Sequence, residues 1–205
     1  FSKKLKTILY ASSSSVYGEK GENTLSNISV NKPVSVYSAS KISMELISNV
    51  YSKLYSMNLI GMRFFTVYGP WGRPDMSYFK FLILNKKKKY IEIYNFGKHQ
   101  RSFTYIDDLV SNMFKILSFY KKTKKRGDSS VFNLGNEKTI KLMDFLKILE
   151  KVTNIKFKKK FVNKQMGDVE KTEANLMIEK KKFNLKFDYN LKIGLEKFYD
   201  WFKKY

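Results

Sequence analysis

The stretch Lys6-Thr7-Ile8-Leu9-Tyr10-Ala11-Ser12-Ser13-Ser14-Ser15-Val16-Tyr17-Gly18 decides how this chain is read. Its apolar run, Lys6 to Ser12, closes into serines, the pattern of a buried strand running into a loop. Downstream, Ser38 to Met57 sets Ile42, Leu46, Ile47, Val50, Leu54 and Tyr55 at helical spacing, with Ser38 as the expected N-cap. Asn58 to Phe65 is a second apolar run and predicts a second buried strand. A strand, a long helix and a strand in succession predict parallel pairing through a crossover.

Outward from that unit, Gly69-Pro70-Trp71-Gly72-Arg73-Pro74 breaks regular structure, and Asn23 to Val36, polar and carrying Pro33, reads as a loop. A helix is expected near Tyr78–Asn85, then strands at Tyr90–Tyr94 and Ser102–Ile106. Asp107 is the expected cap of a helix reaching about Tyr120, followed by a charged loop, Lys121–Ser130. The remainder predicts a strand at Val131–Leu134, a helix at Leu142–Val152, a strand at Ile155–Phe161 and a terminal helix at Leu191–Lys204. The fold class that follows is α/β, a parallel sheet with a smaller appended lobe.

Composition removes several functions. With 205 residues, 43% of them hydrophobic, the chain can bury a substantial core. No apolar stretch approaches the ~20 residues of a membrane span, and a membrane partner is not expected. The absence of cysteine excludes disulfides, thiolate nucleophiles and cysteine zinc sites. A lone histidine, His99, is expected to be an ordinary surface or loop residue, and no metal is predicted. The net charge of +22 invites a nucleic-acid reading. The charge is dispersed, however, and the great majority of the basic residues are Lys, the poorer cation for bidentate base readout. With no recognition helix or stacking motif, the charge is assigned to solvated surface and nucleic acid is not a predicted partner.

The chemistry concentrates at Tyr37-Ser38-Ala39-Ser40-Lys41. Residues four apart share a helix face, so Tyr37 and Lys41 can reach one site. A phenol is a poor base near neutral pH, but a nearby ammonium, or the positive ring of an oxidised nicotinamide, stabilises its phenolate. The serine tract lies at the carboxyl end of the first strand, where open α/β sheets bind ligands. Taken alone, Tyr-x-x-x-Lys and a serine tract are weak patterns.

Together with Arg63-Phe64-Phe65-Thr66-Val67-Tyr68-Gly69-Pro70, Arg101-Ser102-Phe103-Thr104-Tyr105-Ile106-Asp107-Asp108, Phe132-Asn133-Leu134-Gly135-Asn136 and Gly167-Asp168-Val169, these blocks resemble the extended short-chain dehydrogenases/reductases. The run on through Trp71-Gly72-Arg73-Pro74-Asp75-Met76 is most similar to UDP-glucuronate 4-epimerases. The resemblance spans essentially the whole chain, in order. It implies the C-terminal part of a Rossmann-type, doubly wound domain, over residues 1–70 and 100–136, plus a nucleotide-sugar lobe over 71–99 and 137–205.

The resemblance further implies NAD as cofactor and a UDP-sugar as substrate. Tyr37 is then the acid/base, Ser13 the catalytic hydroxyl and Lys41 the tuning and ribose-binding residue, with Tyr37, Lys41 and Ser12 contacting the cofactor. Ser14, Ser15, Thr66, Arg73, Phe79, Lys80, Arg101 and Asp168 are the implied substrate contacts. Arg73 meets the C5 carboxylate, Arg101 the diphosphate and Asp168 the nucleotide ribose. Ser14 and Ser15 stand where related 4,6-dehydratases carry an acidic pair, and the tract has no Glu of the kind uronate decarboxylases use, so C4 epimerisation is the expected outcome. UDP-glucose or UDP-galactose epimerisation is the nearest alternative.

Relatives dimerise through the helix of the tyrosine and lysine, so a homodimer through residues 38–57 is expected, in the cytoplasm. No G-x-G-x-x-G or G-x-x-G-x-x-G occurs. The turn that would receive the cofactor pyrophosphate is therefore expected to precede Phe1, and the chain to be the catalytic and substrate-binding portion of something longer. A split gene and a decayed enzyme are the lesser alternatives.

Overall fold

The strand–helix–strand unit forms as the hydrophobic pattern requires. In the computed structural model, which describes residues 5–20, 24–28, 32–165 and 168–205, β1 is Thr7–Ser13, α1 is Val36–Leu54 and β2 is Asn58–Phe64. Phe1 to Lys4, parts of the Asn23–Val36 loop and Gly167 lie outside the described residues. There follow β3 (Thr66–Tyr68), α2 (Ser77–Lys86), β4 (Ile91–Ile93), β5 (Gln100–Tyr105), α3 (Ile106–Lys122) and β6 (Val131–Leu134). The last third holds β7 (Thr139–Lys141), α4 (Leu142–Thr153), β8 (Lys159–Phe161), β9 (Lys171–Thr172), α5 (Met177–Phe183) and α6 (Leu191–Phe202).

Strands β1, β2 and β6 form a parallel sheet in that order, with Ser13 opposite Phe64 and Phe64 opposite Leu134. Alternation along β2 sends Ile60 and Met62 into a core with Leu109 and Ile116 of α3, while Arg63 turns to Glu45 of α1. Helices therefore cover both faces, the doubly wound arrangement. A second sheet, β3-β5-β7 with β9 beside β5, and a β4-β8 pair carry the other main core, in which Phe103 and Phe145 stack at 4.7 Å. Strand β5 belongs to this second sheet, whereas α5, late in the chain, returns Phe183 to the core of the first.

Two expected caps are corrected. Ser35, not Ser38, caps α1; Ser38 is the N3 partner of a reciprocal capping box, its backbone N–H donating to Ser35 Oγ at 3.1 Å. Asp107 does not cap α3, which begins without a side-chain cap. Its neighbour Asp108 accepts instead from the backbone N–H groups of Asp188 and Tyr189, tying a distant loop to the helix start. Burial raises the Asp108 carboxyl above its usual range, against those two donors. Among the described residues, no helix is long and apolar enough to cross a membrane, and no cluster of His, Asp or Glu could hold a metal ion.

Candidate active site

Ser13 ends β1, Tyr37 opens α1, and Lys41 follows one turn later; all three line one cleft of about 330 Å³ with Phe64, Trp71 and Arg73. Lys41 Nζ donates to the carbonyl of Ala11 at 2.9 Å and lies 5.6 Å from the Tyr37 ring centroid. Ser13 Oγ accepts from the backbone N–H of Ser15 at 3.2 Å and from Ser15 Oγ at 3.0 Å. The hydrogen of the Ser13 hydroxyl thus remains available to donate. Tyr37 is half exposed.

An adjoining cleft of about 310 Å³ shares Ser13, Tyr37 and Arg73 and adds Ser14, Ser15, Thr66, Arg101 and Asp168. Arg101 and Asp168, 67 residues apart, form an ion pair at 2.8 Å. Arg101 Nη1 also donates to the carbonyls of Gln100 and Glu170. His99 lies in the loop before β5 but is buried there, its Nε2 3.0 Å from Asp168 Oδ2 without the angles of a hydrogen bond. Burial lowers the His99 pKa, opposed by the Asp168 carboxylate and reinforced by Arg101 and Lys164. Burial likewise lowers the Arg101 pKa, with Asp168 pulling the other way. Arg73, at the lip of both clefts, holds Asp75 through Nε–H at 3.1 Å and Nη2–H at 2.7 Å. That pairing lowers the Asp75 pKa.

Two expected contacts are placed elsewhere, and a third is engaged within the protein. Phe79 is fully buried, packed edge-on against Phe202 at 5.4 Å and against Tyr205, so its ring belongs to the core. Lys80 is exposed and lines neither cleft. Ser12 lies on the first cleft, and its hydroxyl donates to Glu45.

The sequence pattern of the NAD-dependent epimerase/dehydratase family matches residues 1–135. The chain belongs to that family. It is 45% identical over 202 residues to an uncharacterized Methanocaldococcus jannaschii protein, covering 97% of this chain and 59% of that one. It is 40% identical over 210 residues to Arabidopsis thaliana UDP-glucuronate 4-epimerase 4, covering 97% of this chain and 48% of the relative. The crystal structure of Bacillus cereus UDP-glucuronic acid 4-epimerase in complex with UDP-glucuronic acid and NAD superposes with a TM-score of 0.88 at 31% identity, over 98% of this chain and 63% of that chain. The chain therefore spans about half to two-thirds of the length of the relatives it matches.

Within this member of the epimerase/dehydratase family, motif matching missed the layer beneath the clefts. Arg63 donates from Nε to Glu45 Oε1 at 2.9 Å and from Nη2 to Oε2 at 2.7 Å, with side chains only 4% and 9% exposed. Arg63 Nη1 continues to Tyr17 Oη at 3.0 Å, and Tyr17 donates to Asn133 of β6. Burial raises the Tyr17 pKa, and the Arg63 guanidinium 4.8 Å over its ring opposes that rise. Two signals could have found the pair: an arginine inside an apolar strand needs a buried partner, and Glu45 lies four residues past Lys41 on the same helix face.

Proposed function

We propose that this chain carries the catalytic and sugar-binding part of a UDP-glucuronate 4-epimerase, interconverting UDP-glucuronate and UDP-galacturonate with NAD. The observation that carries the reading is the pair of adjoining clefts. Ser13, Tyr37 and Lys41 meet at the junction with a chamber that holds Thr66, Arg73, Arg101 and Asp168. A phenol, an ammonium and a hydroxyl suit the nicotinamide-ribose end of NAD. The sequence holds no glycine-rich turn for the pyrophosphate, so the fit extends to that end alone. Bound there, NAD supplies the acceptor and donor of hydride at the sugar C4.

The chain's own residues manage the rest. Tyr37 takes the proton of the 4-hydroxyl and, once the 4-keto sugar has turned over to offer its other face to hydride, returns a proton to the C4 oxygen. Ser13 donates a hydrogen bond to the C4 oxygen throughout, stabilising charge that develops there. Arg101 and Asp168 separate to take the diphosphate and the ribose. Arg73 takes the C5 carboxylate through the fork now occupied by Asp75, with Thr66, Ser14 and Ser15 supplying hydroxyls. Holding the carboxylate in this way opposes loss of CO₂ from the β-keto acid.

Turnover and binding of UDP-glucuronate and UDP-glucose, measured separately, test the reading. Tyr37→Phe is expected to lower turnover by about 10²–10⁴ with substrate affinity kept, and Arg73→Ala to erase the preference for the uronate. An Arg73→Ala protein that still prefers the uronate overturns the substrate assignment.

The proposal includes a homodimer through α1, supported by its outer face. Leu46, Ile47, Val50 and Leu54 are 53–69% exposed, and they form one apolar stripe. Light scattering on a Leu46→Lys/Leu54→Lys variant should report a monomer; a mass unchanged from the parent removes α1 as the interface.

A further inference from the structure

The side of α1 that faces the sheet is polar. Tyr37, Lys41 and Glu45 recur every four residues along it, and the residues the helix buries are Ser38, Ser48 and Ser52. The large apolar side chains Leu46, Ile47, Val50 and Leu54 point outward. Serines bury little apolar area, and Ile42, packed against the cluster of Tyr17 and Phe65, gives the helix an apolar contact near its start. Along the rest of the face, directional contacts are left to set the register.

We propose that Glu45 and Arg63 are positioning residues that set Tyr37 and Lys41 against Ser13. One carboxylate joins three elements: Glu45 of α1 accepts two hydrogen bonds from Arg63 of β2 and one from Ser12 of β1. Ser12 is the immediate neighbour of Ser13, and Lys41 lies one turn before Glu45 and donates to Ala11 of the same strand. A bidentate fork admits one register, whereas apolar contact tolerates sliding. Arg63 is held in turn by Tyr17 and by the carbonyl of Ser26 at 3.2 Å. Asn133, which receives the Tyr17 hydroxyl, donates to the carbonyls of Thr24 and Asn175. The fork is therefore anchored beyond the helix it holds. Catalytic groups need placement within about 0.5 Å, and misplacement by 1 Å can cost on the order of 10²-fold in rate.

The inference rests on Tyr37 and Lys41 being the reactive pair, and not on which sugar they act upon. It is therefore tested without turnover, on the folded chain. Lys41 is followed by pulse acylation with site-resolved mass spectrometry, against the remote exposed Lys147 and Lys192. Tyr37 is followed by the resonance of its ¹³C-labelled ring, assigned with Tyr37→Phe. Glu45→Gln is compared with Leu149→Ala, a fully buried change in the other core.

Glu45→Gln should raise Lys41 labelling at least about fivefold, the factor by which losing one ordinary hydrogen bond shifts an equilibrium, and should move the Tyr37 resonance. Leu149→Ala should lower Tm and move neither. Should Glu45→Gln not fold, Ser12→Ala removes a single donor and should give the same changes at smaller amplitude. Lys41 and Tyr37 unchanged in the folded variants, or displaced equally by Leu149→Ala, overturn the proposal. Persistent turnover in Tyr37→Phe would instead remove the catalytic reading and leave the structural measurement standing.

Discussion

Two arginines in this chain grip carboxylates with nearly the same fork, one in the floor beneath the clefts and one at their lip. Arg63 Nη2 meets Glu45 at 2.7 Å, and Arg73 Nη2 meets Asp75 at 2.7 Å, each with a second bond from Nε. Their surroundings differ. The first pair is 4% and 9% exposed, the second 68% and 65%. In water an ion pair is screened and nets about 0–1 kcal/mol, so Arg73 can exchange Asp75 for a ligand at little cost. Out of water, either partner left alone is a stranded charge, so Arg63 and Glu45 are bound into the architecture. Distance alone would rank the two pairs together; burial makes one a fastening and the other a release.

The sharpest way to break that contrast is Arg63→Ala. It should cost about 3–5 kcal/mol of stability by urea unfolding, because Glu45 is left buried and unpaired. A loss below about 1 kcal/mol would mean that water reaches the floor and that the two pairs are alike. Removing both charges, Glu45→Leu with Arg63→Met, should cost less than Arg63→Ala alone, since no ion is stranded. Part of the loss remains, because Tyr17 and Ser12 forfeit partners. A double variant worse than the single would show that the pair's attraction exceeds its desolvation.

The same contrast explains what the sequence disclosed. Tyr37, Lys41 and Ser13 could be placed on one cleft from sequence because their spacing and strand-end position are local; the elements carrying them form with ends shifted by one to three residues. Arg101 and Asp168 were legible only through their motifs, since nothing local relates residues 67 apart that meet at 2.8 Å. Glu45 and Arg63 were not found, because their partnership exists only once α1 lies on β2.

Periodicity alone does not say which side of a helix a sheet will cover. It located the apolar stripe of α1, and the sheet covers the more polar side, with Ile42 packed inward and the stripe left outside. Phe79 failed for a related reason, as an aromatic residue on a helix near a motif reads equally as ligand contact or core. The ring cluster with Phe198, Phe202 and Tyr205 decides for the core. Ser12 shows the finest grain of the problem. Adjacent strand residues point to opposite faces, so Ser13 faces the cleft and Ser12 the floor.

The smallest expected effect probes the lip. Asp75→Asn should leave stability within about 0.5 kcal/mol, as exposed pairs do, and remove the internal carboxylate that Arg73 now holds. With that competitor gone, affinity for UDP-glucuronate should rise by up to about fivefold, the equivalent of ~1 kcal/mol, while that for UDP-glucose stays constant. The gain should vanish in 1 M NaCl, where the Debye length of about 3 Å screens an exposed pair that closely, whereas the Arg63→Ala penalty should persist. A fall in uronate affinity would reverse the role of Asp75, making it the support that aims Arg73 and not the group it must release. Isothermal titration of the two nucleotide sugars at both salt concentrations separates these outcomes, because support and competition give opposite signs at low salt.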